Sequence, residues 1–404
     1  MVHAPGRPPG DGRPGDPALT ARIVALISSG AATSRTELAR GLGLAASTVS
    51  LRVQELIDLG VVRETGAGPS RGGRRPRLLE LCSDGGFVLV ADVGGTHARA
   101  GVVDFTGALS DVEEIPVPVA AGAGPEATLD LLGGVFDDLV RRRAGGESAT
   151  EGIGASGIGI ALPGPVDLER RCADSPSRMP GWDGFPVGRW LEERFGVVTV
   201  VENDANLMAL GEHVSSAHPV RHSVTVKAGS AIGSGIVVDG VVYRGADGAA
   251  GDFSHARVPA GGDIPCSCGN TGCLETIASG AALVRVLQAA GRDVTDTAQV
   301  IRLARSGDPE ATTLVRTAGR HLGEVLCTVV NFFNPGAVFL GGGLSTVEPF
   351  VAAVRSQLYE GCHPLVTQRL LIARASAGAD AGLVGAGRSV LDRVLAQPLP
   401  VAVR

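Results

Sequence analysis

Phe87-Val-Leu-Val-Ala-Asp92-Val-Gly94-Gly95-Thr96-His97-Ala98-Arg99-Ala-Gly-Val-Val-Asp104 is two apolar runs joined by a glycine turn. The pattern predicts a buried strand that ends in Asp-x-Gly-Gly-Thr and a second strand beside it. Glycines at such a turn let backbone N–H groups approach a phosphate, and the aspartate can orient Mg²⁺ or water. No Gly-Lys-Ser/Thr follows, so this is not a Walker loop, and taken alone it also reads as a plain hairpin.

Further strand–loop units downstream give the stretch its weight. Gly157-Ile-Gly-Ile-Ala-Leu runs into Pro163-Gly164-Pro165-Val166-Asp167, and residues 197–201 run into Glu202-Asn203-Asp204-Ala205-Asn206 and a helix over 207–213. Residues 223–245 hold two strands around Gly229-Ser230-Ala231-Ile232-Gly233, and Phe339-Leu-Gly341-Gly342-Gly343 ends another strand. Helical spacing occupies 127–143, 187–195 and about 381–398. Strands alternating with helices, with glycine or polar loops at the strand ends, predict two α/β lobes around a cleft. The division expected is a small lobe over 85–200, which regains the C-terminal helix, and a large lobe over 201–380. Asp204 falls at the cleft mouth as a candidate general base. An Asp or Asn before a helix is also an ordinary N-cap.

Residues 255–275 carry a different chemistry. Cys266, Cys268 and Cys273, three of the seven cysteines, fall within eight residues, and His255 lies just upstream. One imidazole and three thiolates suit a closed structural Zn²⁺ site. Gly269 and Gly272 let the backbone turn tightly enough to gather them. The other readings are a loop with chance cysteines or a disulfide, and Cys-x-Cys closes too small a ring for an easy one.

The N-terminal part is separate in composition. Residues 1–80 hold eleven Arg against seven Asp or Glu, a balance of +4, and the remaining 25 basic and 35 acidic residues give −10. A basic front on an acidic body suggests a polyanionic partner. Residues 1–16 are Gly, Pro, Arg and Asp with little to bury, as in a disordered tail. Residues 17–82 then read as three helices and a two-stranded wing. Ser34 and Glu37 form a capping box on the second helix. The third, over 46–59, turns Val49, Val53, Leu56 and Leu59 inward and offers Ser47, Thr48, Ser50 and Arg52 outward. Together with Arg35 and the wing-tip Arg71, Arg74 and Arg75, these are the candidate DNA contacts of a winged helix-turn-helix. A protein-binding three-helix bundle is the alternative.

At 404 residues the chain is long enough for two or three cores. Aromatics make up only 3%, so those cores are aliphatic. Lys227 is the sole lysine. No secretion signal and no membrane-spanning apolar run is evident, and clustered cysteines fit a reducing compartment, so a cytoplasmic protein without a membrane partner is expected.

Taken together, the turn at Asp92–Thr96, Pro163–Asp167, Glu202–Asn206, the Cys-x-Cys-Gly-x-x-Gly-Cys-x-Glu knuckle and Gly341–Gly343 resemble the ROK family (repressors, open reading frames, kinases) over residues 17 to about 395. The resemblance implies a two-lobed actin-like (ribonuclease H-like) sugar-kinase fold behind the winged helix. It implies that Asn203, Asp204, Asp252, His255 and Glu275 bind sugar hydroxyls. It places Asp92, Gly94, Gly95, Thr96, Ser230 and Gly233 at phosphate-binding positions, and gives Zn²⁺ His255, Cys266, Cys268 and Cys273 as ligands. Departures from the kinases' pattern are Ala231 for a glycine of the second phosphate loop, Asp252 for glutamate, Ser254 for glycine, and Arg178 near a hydroxyl-binding asparagine. Arg178 suits a phosphorylated or acidic sugar.

The expectation is a sugar-responsive transcriptional regulator, a repressor in type, bound as a homodimer or dimer of dimers to a double-stranded operator. The alternative is an ATP- and Mg²⁺-dependent sugar kinase with Asp204 as catalytic base. A purely structural zinc protein leaves the paired polar loops unexplained.

Overall fold

The computed structural model describes residues 17–28, 30–67, 76–117, 119, 122–143, 155–177 and 179–396. The tail at 1–16, the wing tip with Arg71, Arg74 and Arg75, Arg178 and the end of the chain lie outside the described residues.

The head consists of α1 (Pro17–Ser28), α2 (Arg35–Leu42), α3 (Ala46–Asp58), β1 (Val62–Ala67) and β2 (Arg77–Leu81). Ser34 Oγ accepts the Glu37 N–H at 3.3 Å, and the Glu37 carboxylate reaches back to the Thr33 N–H at 3.0 Å. The capping box thus closes on the residue before the cap. Gly43, at φ 67°, ends α2 in the left-handed region. Ile23, Leu38, Val49, Val53 and Leu56 are fully buried. Leu59 caps α3 and is half-buried. The strands pair antiparallel from Val62↔Leu81 to Thr65↔Leu78, and the Leu79 N–H bonds to Thr33 O at 2.8 Å, which ties the wing to the α1–α2 connection.

Next come β3 (Phe87–Val93), β4 (His97–Asp104), β5 (Leu109–Pro116), α4 (Pro125–Arg143), β6 (Gly157–Leu162), the short β7 (Val166–Asp167) and β8 (Cys172–Ala173), α5 (Val187–Phe195) and β9 (Val198–Asn203). The second half has α6 (Asp204–Ser215), β10 (His222–Ala228), β11 (Ile232–Val238), β12 (Val241–Val242), α7 (Glu275–Ala278), α8 (Gly280–Ala289), α9 (Thr297–Arg305), α10 (Pro309–Phe333), β13 (Ala337–Gly341), α11 (Glu348–Gly361), α12 (Pro364–Thr367), β14 (Leu371–Arg374) and α13 (Ala381–Leu395).

The two main sheets share one wiring. The first runs β5-β4-β3-β6-β9 and the second β12-β11-β10-β13-β14. In each, three antiparallel strands are followed by two parallel ones. Parallel neighbours need a long crossover, which the helices supply. β9 pairs with β6 out to Leu162↔Asn203, and α6 follows at once from Asp204.

Helices α6 and α13 pack against each other between the lobes, and glycines allow the approach. A Cβ on Gly211 would lie 1.8 Å from Ala381 O, and one on Gly385 1.8 Å from Leu207 O. The far side of α13 joins the head: Val390, Leu391 and Leu395 share one buried cluster with Ile23, Leu56 and Leu79. Among the described residues no helix is long and apolar enough to cross a membrane.

Candidate functional site

Asn203, Asp204 and the Pro163–Asp167 loop, expected at the cleft, meet where β9 becomes α6. Asn203 is extended (φ −63°, ψ 139°) and caps α6: its Oδ1 accepts the Asn206 N–H at 3.0 Å. Its amide donates to Gly164 O at 2.8 Å, drawing the Pro163–Asp167 loop to the same point. The cap that the sequence also allowed for Asp204 therefore falls one residue earlier, and the Asp204 side chain is left to other work. Glu202, 3% exposed, is turned inward. It accepts the Asn203 N–H and the Asn206 amide, and it pairs with Arg244 Nε at 2.6 Å, tying the small-lobe strand to a large-lobe loop.

Asp204 Oδ1 accepts the Ala205 N–H at 2.8 Å, and Oδ2 accepts from Lys227 Nζ at 2.6 Å. Reading by motif missed this lysine, although its being the only one in the chain was a signal. It stands on β10 with Gly233 beside it on β11 and Gly341 beside it on β13. Burial disfavours its charge, but Asp204 and Asp92 outweigh burial and hold the ammonium well above the usual lysine range. Burial raises Asp92, with Lys227 opposing that rise. The first turn of α13 presses on the same carboxylate, since a Cβ on Gly382 would lie 2.4 Å from Asp92 Oδ2.

At the Asp92–Thr96 turn the Gly94 N–H bonds to His97 O at 2.8 Å, and Thr96 is exposed. In the second glycine loop the Ser230 hydroxyl meets the Thr297 hydroxyl at 3.0 Å. Glu275 is buried, and its Oε2 accepts the Ile232 N–H at 2.8 Å, so it props this loop from behind. Asp252 is exposed, and its Oδ1 accepts the Ser254 hydroxyl at 2.7 Å. The two departures at 252 and 254 are thus bonded to each other.

The knuckle brings its four side chains together. One ligand atom each from His255, Cys266, Cys268 and Cys273 lie within 4.8 Å of one another. His255 Nδ1 is 3.4 Å from Cys266 Sγ, and Cys268 Sγ is 3.7 Å from Cys273 Sγ. A tetrahedron with Zn–S near 2.3 Å has edges of roughly 3.8 Å, so the set has the size of a metal site. Nδ1 faces the thiols, which leaves Nε2 for another partner. Cys273 is pushed up to about 12 by burial and by its neighbouring thiols, so any metal must displace protons from this cluster.

On the head, Ser47 is exposed, Thr48 and Ser50 are half-buried, and Leu51 beside them is 52% exposed. Arg35 and Arg52 are engaged within the domain. Arg35 bonds Glu64, Ser50 O at 2.8 Å and Gln54, clamping α2, α3 and β1. Arg52 pairs with Glu55, and its side chain is 12% exposed.

Residues 88–393 match the sequence profile of the ROK family, and residues 19–63 match a winged helix-turn-helix DNA-binding profile. The chain belongs to the ROK family. The xylose repressor of Bacillus spizizenii is 29% identical over 364 residues, which is 90% of this chain and 92% of that protein. A solved ROK-family transcriptional regulator, described as a homologue of the E. coli MLC protein, superposes with a TM-score of 0.78 at 25% identity, covering 94% of this chain and 96% of that one. The ROK glucokinase of Streptomyces griseus, solved with glucose and AMPPNP, superposes at 0.63 with 29% identity and covers 75% of this chain and 98% of its own. This ROK protein thus carries, beyond the length of the kinase, a winged helix at its front.

The kinases' Mg²⁺–nucleotide fits the present residues poorly. Lys227 already holds Asp204, Ala231 adds a methyl to the second glycine loop, and α13 lies against Asp92. The knuckle, by contrast, offers zinc a full set of four ligands.

Proposed function

We propose that the chain is a sugar-responsive DNA-binding transcriptional repressor whose inducer binds in the kinase-like cleft. The observation that carries this is the unbroken packing from cleft to head. Asp204 opens α6, α6 lies glycine-tight on α13, and α13 shares its other face with the core of the winged helix. A sugar held at Asn203, Asp204, Asp252, His255 and Glu275 shifts the lobes by its differential affinity for the two arrangements, and α13 moves the head with them.

Ser47, Thr48 and Ser50 on α3, with Arg71, Arg74 and Arg75 of the wing, meet the operator. Arg35 fixes α3 against α2 and β1, and Arg52, paired with Glu55 within α3, joins the operator contacts. Zn²⁺ on His255, Cys266, Cys268 and Cys273 has a structural role, because four protein ligands leave no open position for chemistry. A palindromic operator calls for two heads, hence a homodimer or a dimer of dimers. Phe332 at 92% exposure, Tyr359 and Leu365 offer an apolar corner for that contact. The names of the relatives place xylose and glucose first in any sugar panel.

The test is fluorescence anisotropy of the full chain on its own promoter DNA, titrated with sugars and sugar phosphates. At least one sugar is expected to release the DNA, and Asp204→Ala is expected to keep DNA affinity and lose release. A chain that never binds the promoter, or that turns over ATP with a sugar, would overturn the reading.

A further inference from the structure

The wiring of the cleft joins three observations that the repressor reading does not use. The only ammonium side chain in the protein is aimed at the carboxylate where the family's kinases keep their base, at 2.6 Å. It is set in a strand whose register neighbours on both sides are glycines, so no side chain of either neighbour shields it. Asp92, at a phosphate-binding position in the resemblance and able by its chemistry to orient Mg²⁺, is the second negative charge acting on it and is covered on one side by α13.

We propose that Lys227 is a built-in cation that takes the place of a divalent metal between the two lobes, so that the cleft binds its ligand without Mg²⁺ or nucleotide. An ammonium satisfies Asp204 with one charge and a short hydrogen bond. A divalent ion arriving there would meet that positive charge and would have to share Asp204 with it. The same pairing engages Asp204 on both oxygens, Oδ2 with the ammonium and Oδ1 with the Ala205 N–H, where a kinase's base would meet the sugar hydroxyl. The cleft therefore holds sugar hydroxyls and leaves them unreacted. The assignment depends on the cleft reading only for what it means biologically. Its test needs neither the inducer nor the operator.

Mn²⁺ is the probe, titrated into the zinc-loaded full chain and followed by electron paramagnetic resonance, without sugar or nucleotide. The wild type is expected to bind no Mn²⁺ in the cleft. Lys227→Met, which takes the ammonium away from both carboxylates, is expected to gain one Mn²⁺ at an affinity at least roughly tenfold above the wild type. Adding Asp204→Asn to that variant should remove the gain, and Lys227→Arg should behave as the wild type. Wild-type protein that binds Mn²⁺ and loses it in Asp204→Asn would overturn the proposal, and this arm stands even if Lys227→Met does not fold. Thermal stabilisation of the wild type by Mg²⁺–AMPPNP that Lys227→Met abolishes would also overturn it, by making Lys227 a phosphate ligand.

Discussion

Asn203 and Asp204 show how one position in a chain separates a side chain that caps a helix from one that pairs across the fold. Both residue types suit a helix N-cap, and the sequence offers them side by side. The backbone decides between them: Asn203 is the last residue of β9 and takes the cap, so Asp204 begins α6 with its carboxylate in the cleft. The gathering of the knuckle side chains, by contrast, was legible from spacing, because residue type and tight local turns need no distant partner. The expected outcome for Cys268→Ser is loss of zinc by elemental analysis together with loss of sugar-dependent release from DNA. A metal-free variant that still responds would make the knuckle a bystander. Lys227 was not legible by motif, because its importance lies in Asp204, which reaches it across the fold.

At the scale of elements, several helices announced themselves through apolar spacing, and α5 lies where that spacing put it, whereas α11 and α12 were not read. The edge strands β5 and β14 were not read. Most of β5 is exposed or half-buried, and β14 has four residues, so neither shows a sustained alternation. The contact between α6 and α13 was equally hidden, since glycines in helical runs give no sign of what they approach. Gly385→Ala puts a methyl onto Leu207 O, and overpacking of this kind costs about 1–3 kcal/mol. A lower Tm by calorimetry is expected, with release by sugar blunted more than DNA affinity.

The same α6 carries a pH dependence. His213 is lowered by burial, with His222 and Arg388 adding to it, so the native state disfavours the charged ring. The unfolded chain then binds more protons than the native one, and stability falls as pH drops through the ordinary histidine value near 6.5. Thermal melts between neutral and mildly acidic pH should show this loss, and His213→Asn should flatten part of it.

For the whole molecule, the charge split sets how it meets DNA. A head balance of +4 on a body of −10 orients approach toward the polyanion. If Arg74 and Arg75 each neutralise one phosphate, replacing both by alanine weakens operator binding and reduces the slope of log affinity against log salt by roughly 2. An unchanged slope would remove the wing from the interface.

The sequence by itself determined the parts: a winged helix, two α/β lobes with glycine and polar loops at their strand ends, and a knuckle of one histidine and three cysteines. Those features rest on local rules of periodicity, capping, turn chemistry and ligand spacing. The tertiary structure alone decided their relations. It showed that the two sheets share one wiring, that α13 joins the cleft to the head, and that the only lysine pairs with the aspartate of the cleft. The reason is physical: each of these is a contact between segments far apart in the chain, so its energy is absent until the fold brings the partners together.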